Sequence, residues 1–562
     1  MTNDTGATSS AASGKPSGTE PPTRGPVLPA SLRIVRVAAE IVVAITSAIL
    51  FTVWSRTIEV DPLTRVGQVS GLAALQLRFA VLGATGVGVL VLVEKRRPAI
   101  FRLYALPLTC AAIAGMASGL VGGGLEIALH GTPWGLYVNH GDAAEVTRWS
   151  ELWLQGKPFP ENYPPLSVYA MAALQDWFDQ PSGFALKDLQ IFITALYGPA
   201  AYLSWRLILR PVPALAIGVL TMMPFIEQYK PYTQIVVVIF IPVLVKFLQV
   251  VRHSSGMTIR AALLRGIAFG LGFAVLFLTY SGWFVWASPG AAVALAMLIP
   301  WRSEKKPALL FIAVTALTFV VFSWVHLQGL IGLASGTAPD NYQYFDTKTD
   351  PAYIAMWRDD APGAAAIGAW PPFGEFAGVG VFTLLLALGI AVAIGLGWRR
   401  TVLIGISLPL VSAWLMRQLL ASLMYQSGLV RLYPRTTVFI LLGLLLLSGF
   451  AMFWTIQLVR ARLDLSPRTK DHVDPGDEPG GPALGGPAAW RPDRVPVGLL
   501  VVPLLFVIGS AGSSLADRYM PADPASHSAF DTSVLAWVAQ ETRLPDGHCA
   551  EHVSTCPYDS PG

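Results

Sequence analysis

Apolar runs recur along most of this chain of 562 residues and constrain its fold more than any other feature. A helix of about 17 to 25 such residues crosses the hydrocarbon core of a bilayer. The composition agrees, with 53% hydrophobic and only 13% charged residues. The sequence therefore predicts an all-α, polytopic membrane protein. We place about thirteen spans, near residues 34–53, 77–93, 103–128, 190–209, 213–226, 234–251, 262–280, 284–300, 307–325, 377–397, 401–424, 437–459 and 496–513.

The distribution of Lys and Arg predicts the orientation of these spans. Basic clusters share one side if the spans alternate, and they fall at 94–97, 302–306, 398–400 and 460–470. Because cytoplasmic segments carry such an excess, the long segments 129–189 and 326–376 are predicted to be extracytoplasmic loops. The run at 213–226 is short enough to be re-entrant, which would reverse everything after it, but the charge pattern favours a crossing.

The remaining segments are polar and are assigned by composition. Residues 1–30 are rich in Thr, Ser, Gly and Pro and are expected to be a disordered cytoplasmic tail. Residues 31–459 form the transmembrane core, and 460–494 form a flexible cytoplasmic loop rich in Pro, Gly and charge. A last span at 495–513 leads to a short extracytoplasmic tail at 514–562.

Two of the three cysteines, Cys549 and Cys556, lie in this tail. An oxidising compartment would permit a disulfide between them, and free thiols remain the alternative. Their spacing, without paired histidines, is poor for zinc. The sequence therefore assigns no metal ligand here or elsewhere.

Several function classes are excluded. The net charge is only +4, and no basic stripe with interleaved aromatic residues indicates nucleic acid. The chain contains no phosphate-binding loop, dinucleotide fingerprint, metalloprotease helix or nucleophile elbow. Chemistry on cytoplasmic nucleotides is therefore not expected.

The first long outer segment carries the densest polar pattern. Helical spacing of apolar residues from Asp142, and again from Leu166, predicts two amphipathic helices on the membrane surface, separated by prolines. Asp142 would lie near headgroup depth, where it could act as a general base toward an acceptor hydroxyl. Asp142 followed by Glu145 also matches a helix N-cap with a capping-box partner. The residue pattern alone favours capping, and both roles can hold together.

The second long outer segment combines aromatic residues with carboxylates, including Tyr344, Asp346 and Trp357. Aromatic faces cover the C–H patches of sugar rings, and carboxylates accept their hydroxyl protons. This mixture fits carbohydrate binding. Any single aromatic residue here is better explained by loop packing or by the interfacial belt of a membrane protein, and the density of Asp with aromatic residues is the better signal.

Candidate phosphate-binding cations lie near the same outer face. Arg417 falls inside a span, where a charge is costly and usually faces a cavity or a partner, so a structural ion pair is the alternative. Arg431 and Arg435 follow in an outward turn. In the turn at 227–232, Lys230 or Glu227 would complete a site, but we interpret that turn as a solvated connection.

The combined motifs resemble a known family. A long first outer loop with an early Asp, on about a dozen spans, resembles the GT-C glycosyltransferases. The order of the motifs is similar to that in the arabinan-priming galactan 5-O-arabinofuranosyltransferases of actinobacteria, and the motifs stand at 141–145, 162–165, 344–347, 353–357 and 432–435. The resemblance covers roughly residues 35–515.

This resemblance implies a function that hydropathy does not. It implies inverting transfer of arabinofuranose from decaprenylphosphoryl arabinose to a galactofuranose 5-hydroxyl of lipid-linked galactan, at the extracytoplasmic face of the plasma membrane. The early acid of the family corresponds to Asp142, with Glu145 a secondary catalytic candidate. The remaining candidates for substrate binding are Arg148, Trp149, Asn162, Tyr163, Tyr344, Asp346, Trp357, Arg417, Arg431 and Arg435.

Cofactors, partners and rival functions stay open at this point. No cofactor is certain, although a divalent metal ion could neutralise the departing phosphate. Other cell-wall assembly proteins are candidate partners. The rivals are a GT-C transferase for another polyprenyl-phosphate sugar such as mannose, and a transporter of lipid-linked glycans. A transporter predicts functional charges near mid-membrane, whereas most acids here lie in outer segments.

Overall fold

The computed structural model describes residues 30–139, 141–335, 381–427, 436–463, 497–524 and 532–560. These residues form helices and connecting segments, with no strand among them. In chain order the helices are α1 Ala30–Ser55, α2 Arg65–Arg96, α3 Pro98–Ala128, α4 Gly141–Leu154, α5 Pro165–Phe178, α6 Ser182–Arg206, α7 Pro211–Phe225, α8 Pro231–Arg252, α9 Ile259–Thr279, α10 Gly282–Leu298, α11 Lys306–Ser335, α12 Val381–Gly397, α13 Thr401–Ser427, α14 Thr436–Leu463, α15 Val497–Arg518 and α16 Thr532–Gln540.

Eight of the described helices are long and apolar enough to cross a membrane. They coincide with predicted spans, and so the prediction of an all-helical, multi-pass membrane protein is confirmed. Three further predicted spans fall on the shorter apolar helices α7, α10 and the stretch Leu385–Gly397, and two fall on α6 and α15. The count of about thirteen crossings stays a prediction. The predicted tail at 1–30 and loop at 460–494 lie almost wholly outside the described residues.

Polar contacts join the helix ends that were predicted to be cytoplasmic. Glu40 of α1 is buried and accepts two hydrogen bonds from Arg206 at the end of α6, at 2.8 and 3.0 Å. Tyr202 donates to the carbonyl of Pro107 in α3 at 3.1 Å. Together these bonds fix three helices in register, since the two parallel bonds of the bidentate pair set direction as well as distance.

Contacts at the opposite end join the segments that were predicted to face outward. Arg56 after α1 pairs with Glu126 of α3 at 2.7 Å, and Arg65 of α2 pairs with Asp517 of α15 at 2.8 Å. Gln540 of α16 donates to two carbonyls at the end of α3, those of Ala128 and His130. The C-terminal segment is thereby packed onto the same end of the bundle as the first long outer segment.

The short apolar run that could have been re-entrant forms α7, which lies between these two ends of the helix bundle. Before α7, the Leu209 carbonyl accepts from Arg206 at the Glu40 end, at 2.7 Å. After α7, the Ile226 carbonyl accepts from Tyr519, which follows α15 at the other end, at 3.3 Å. The helix thus has one contact at each end of the bundle, and the alternation of spans that the charge pattern predicts stays a prediction.

Helix packing in the core uses short polar side chains. Ser118 of α3 donates to the Ala195 carbonyl of α6 at 2.6 Å and accepts from the Gly198 backbone N–H at 2.8 Å. Thr52 of α1 donates to the Gly119 carbonyl at 3.3 Å. Because lipid provides no hydrophobic force between helices, such bonds and close packing hold the bundle together.

The disulfide that the sequence left open is formed, between Cys549 and Cys556. It closes a small loop beyond α16. The last long helix also extends further than predicted, to Arg518 rather than 513, because its final turn is held by polar contacts such as the Arg65–Asp517 pair rather than by apolar surroundings.

Candidate functional site

Asp142 lies in the first turn of α4 and forms an ion pair with Lys230, at the start of α8. The Asp142 side chain is 43% exposed and that of Lys230 is 17% exposed. The pair joins two segments that were predicted to face outward, and its two residues are 88 positions apart in sequence. One carboxylate oxygen is thus held by the ammonium group while the side chain keeps access to solvent.

The capping alternative for Asp142 is not what the described residues show. Its carboxylate accepts from the Lys230 ammonium group, with no bond from the backbone N–H groups of the first turn among the described residues. Glu145 pairs instead with Arg148, at 2.6 Å, and both side chains are about half exposed. An exposed pair one turn apart contributes little stability, and it leaves Glu145 without the back-bond that a capping box requires.

Two residues in left-handed conformations set the backbone direction at the start of α4, which carries Asp142. Tyr137 has φ +62° and Gly141 has φ +65°. A Cβ at Gly141 would lie 2.5 Å from a ring carbon of Tyr137, so glycine is required both by φ and by space. The Tyr137 ring packs edge-on against Tyr229, with centroids 5.2 Å apart.

A buried glutamine clamps the two segments together. Gln190 of α6 accepts from the Leu136 backbone N–H at 2.8 Å and donates to the carbonyls of Leu136 and Tyr229, both at 3.0 Å. One side chain therefore satisfies backbone groups of the segment before α4 and of the turn that carries Lys230. Such a buried, fully paired amide fixes geometry because losing it would leave backbone groups unsatisfied.

Aromatic side chains of the first long outer segment pack on one another, and one of them, Tyr163, reaches Tyr232 just after the turn that carries Lys230. Trp149 packs on Tyr163 with ring centroids 4.4 Å apart, and the Tyr163 hydroxyl lies 2.9 Å from that of Tyr232. The Trp153 ring packs against Tyr169 at 4.7 Å and is 47% exposed. Three predicted site residues, Trp149, Tyr163 and Asp142, thus converge on one end of the bundle with their neighbours.

The turn that carries Lys230 is not the solvated connection that the sequence analysis favours. Gln228 is fully buried, and burial raises the pKa of the Glu227 carboxyl, partly offset by a hydrogen bond from the Tyr229 backbone and by the charge of Lys230. Burial, reinforced by the neighbouring Asp142 charge, also raises the pKa of the Tyr229 hydroxyl. The correction follows from tertiary packing, since the turn is covered by Gln190 and Tyr519.

Glu227→Gln is expected to remove part of the pH dependence of stability. Because the folded-state pKa of Glu227 is raised above its usual value of 4.5, its stabilising contribution is fully present below that value and is lost as pH rises through the raised pKa. Melting temperatures of both proteins, measured between about pH 4 and 8, should therefore diverge. As pH increases, the melting temperature of the wild type should fall relative to that of Glu227→Gln.

Glu151→Gln, on α4, is the control for this experiment. It removes a carboxylate from the same end of the bundle without touching the buried turn. Parallel melting curves for wild type and Glu227→Gln across the whole range would contradict the assignment.

Arg417, on α13, is fully buried. Its guanidinium donates to the hydroxyls of Thr436 and Thr437, both at 2.8 Å, and thereby joins α13 to the start of α14. No contact among the described residues joins Arg417 to Asp142 or Lys230. Its assignment to phosphate binding stays a prediction.

The remaining predicted site residues are partly outside the described structure. Asn162 is half-buried, and the backbone at 161–162 packs against α11, where His326 lies 2.9 Å from the Glu161 carbonyl. Arg148 is exposed and paired with Glu145. Tyr344, Asp346, Trp357, Arg431 and Arg435 lie outside the described residues.

Four site residues were not found from sequence: Lys230 was set aside, and Tyr137, Gln190 and Tyr229 were not considered. Each of the four contacts residues that are distant in the sequence, and a single sequence gives no indication of such contacts. The left-handed Tyr137 has no turn motif around it, although Gly141 itself is a turn signal.

No known protein family model matches this chain, and no curated protein is significantly similar to it in sequence.

Proposed function

We propose that the protein is a membrane glycosyltransferase that primes arabinan in cell-wall arabinogalactan. It transfers arabinofuranose from decaprenylphosphoryl arabinose to the 5-hydroxyl of galactofuranose in lipid-linked galactan, at the extracytoplasmic face of the plasma membrane. The observation that carries this proposal is the Asp142–Lys230 pair, a carboxylate and a cation held together among aromatic rings at one end of an apolar bundle. The motif resemblance supplies the sugar and the acceptor.

The reaction is a single in-line displacement. Asp142 accepts the proton of the acceptor hydroxyl through a carboxylate oxygen that does not bind Lys230. The acceptor oxygen forms a bond to the anomeric carbon as the bond from that carbon to the phosphate oxygen breaks. The leaving polyprenyl phosphate carries the electron pair away, and its charge requires a cation.

Lys230 is the candidate cation for the phosphate that the described residues place at this site. Its ammonium group also lies 5.0 Å from the centroid of the Tyr229 ring, which orients it. Arg417, Arg431, Arg435 or a divalent metal ion are further candidates for the same charge. The aromatic residues Trp149 and Tyr163 would seat sugar rings through their faces.

Lys230→Gln is expected to lower kcat/KM for the donor about tenfold, which corresponds to about 1.4 kcal/mol of transition-state stabilisation. Glutamine keeps a donor toward Asp142 but removes the positive charge that a phosphate needs. Lys157→Gln is the matched control, since Lys157 is exposed in the same outer segment and bonds only locally, to Gln155 at 2.8 Å. Equal rates for both variants would exclude Lys230 from phosphate binding.

A donor comparison tests the function itself. Wild-type protein in detergent micelles is given a galactofuranose acceptor with either decaprenylphosphoryl arabinose or the corresponding mannose donor, each radiolabelled. The proposal requires label in the acceptor with the arabinose donor only. Transfer of mannose would identify a GT-C enzyme for another sugar, and absence of transfer from both donors would favour a transporter, since micelles have no second compartment.

A further inference from the structure

Two histidines and a glutamate meet where the C-terminal segment packs on the first outer segment. His130 follows α3, and Glu551 and His552 lie in the loop closed by the Cys549–Cys556 disulfide. One ligand atom from each of the three residues lies within 4.8 Å of the other two. We propose that these three residues bind a divalent transition-metal ion such as Zn²⁺.

The ligand set has the chemistry that zinc prefers. Imidazole nitrogen and carboxylate oxygen bind Zn²⁺ at about 2.0 to 2.2 Å, and two histidines with one glutamate leave a fourth position for water. Tetrahedral binding at these lengths places ligand atoms about 3.4 Å apart. Small side-chain rotations, which the exposed Glu551 side chain permits, would therefore bring the ligand atoms of the three residues to this distance from one another.

A buried nitrogen supports a ligand at this place. The Nε2 atom of His552 is buried and has no hydrogen-bond partner among the described residues. Burying a polar atom without a partner costs free energy, and coordination of a metal ion would satisfy the lone pair of this nitrogen. The His552 and His130 rings lie next to each other, with centroids 5.8 Å apart, so both imidazoles are available to one ion.

The local backbone is built to bring these side chains together. Gly131 has φ +82°, and a Cβ there would lie 2.9 Å from a ring carbon of His552, so only glycine allows this approach. Gln540 bonds the His130 carbonyl at 2.8 Å, and Thr132 donates to the Ala539 carbonyl at 3.0 Å. The disulfide then fixes the loop on which Glu551 and His552 sit.

The ion would link two segments that are distant in sequence and close to the candidate site. His130 begins the outer segment that continues through Tyr137 to Gly141, where α4 starts. A bound metal would stabilise the folded chain by mass action and would hold this segment against the C-terminal loop. This inference does not depend on the proposed transferase activity.

Zinc binding to the purified, full-length protein tests the inference. The protein carries no polyhistidine tag, keeps its disulfide oxidised, is stripped with a chelator and is titrated with Zn²⁺ alone by equilibrium dialysis and elemental analysis. One saturable Zn²⁺ per chain is expected. His130→Gln, His552→Gln and Glu551→Gln should each weaken binding at least about tenfold, as removal of groups that hold a metal does.

His548→Gln is the matched control, because His548 is exposed in the same segment and is not part of the cluster. Zn²⁺ should raise the melting temperature of wild type and of His548→Gln but not of the three ligand variants, and the metal-free melting temperatures show whether each variant is folded. The inference is overturned by no saturable Zn²⁺ in wild type at micromolar concentration, or by unchanged affinity in folded His130→Gln and His552→Gln.

Discussion

Asp142→Asn is expected to lower kcat for arabinose transfer about 10²- to 10⁴-fold, the usual contribution of a general base. Asparagine has nearly the same size and its amide oxygen can still accept a hydrogen bond from Lys230. It cannot accept the proton of the attacking hydroxyl at neutral pH. The loss should therefore appear in kcat, with donor KM changed little, because phosphate contacts are kept.

Asp176→Asn is the matched control for this variant. Asp176 is exposed on α5, in the same outer segment, and its carboxylate has no part in the site. It should transfer arabinose at the wild-type rate. If Asp142→Asn stays within a few-fold of Asp176→Asn, then Asp142 serves only to hold Lys230 in place and another base must exist.

Gly141→Ala is expected to reduce transfer about 10²-fold, the penalty of a misplacement near 1 Å at a reacting group. The added Cβ would lie 2.5 Å from a Tyr137 ring carbon and 3.2 Å from the Tyr229 hydroxyl. Relief requires either the Tyr137 ring or the start of α4 to move, and Asp142 moves with the helix. A left-handed conformation costs alanine about 1 to 2 kcal/mol in addition.

Gly156→Ala separates these two effects. Gly156 has φ +71° with nothing within 4 Å of its added Cβ, so it shares the backbone cost without the collision. The melting temperature should fall in both variants, and further in Gly141→Ala because of the collision, whereas activity should fall only in Gly141→Ala. Equal activity in both variants would show that Tyr137 and Tyr229 do not set the position of Asp142.

The parts of this molecule that sequence predicts are those with local causes. Apolar length places the helices, and prolines with helical spacing place α4 and α5 in the first outer segment. The Cys549–Cys556 bridge, which the sequence left open against free thiols, needs only proximity in sequence. Each of these features is determined within a window of a few turns, and the structure contains all of them.

The parts that sequence could not predict depend on distant partners. Lys230 looks like a solvated lysine until Gln190 and α4 cover its turn, and Asp142 looks like a helix cap until Lys230 reaches it. The His130–His552 contact is unpredictable for the same reason, because the two histidines lie far apart in the sequence. A charge inside a span gave an ambiguous signal, and Arg417 proves to bond hydroxyl groups of α14.

The most direct test of the central claim is the structure of the product formed by purified wild-type protein. Decaprenylphosphoryl arabinose and a short galactofuranose acceptor are incubated with the protein, and the product is analysed by NMR. One arabinofuranose is expected on the 5-hydroxyl of galactofuranose, with the anomeric configuration inverted relative to the donor. Retained configuration, or no product from a folded protein, would contradict a single displacement with Asp142 as base.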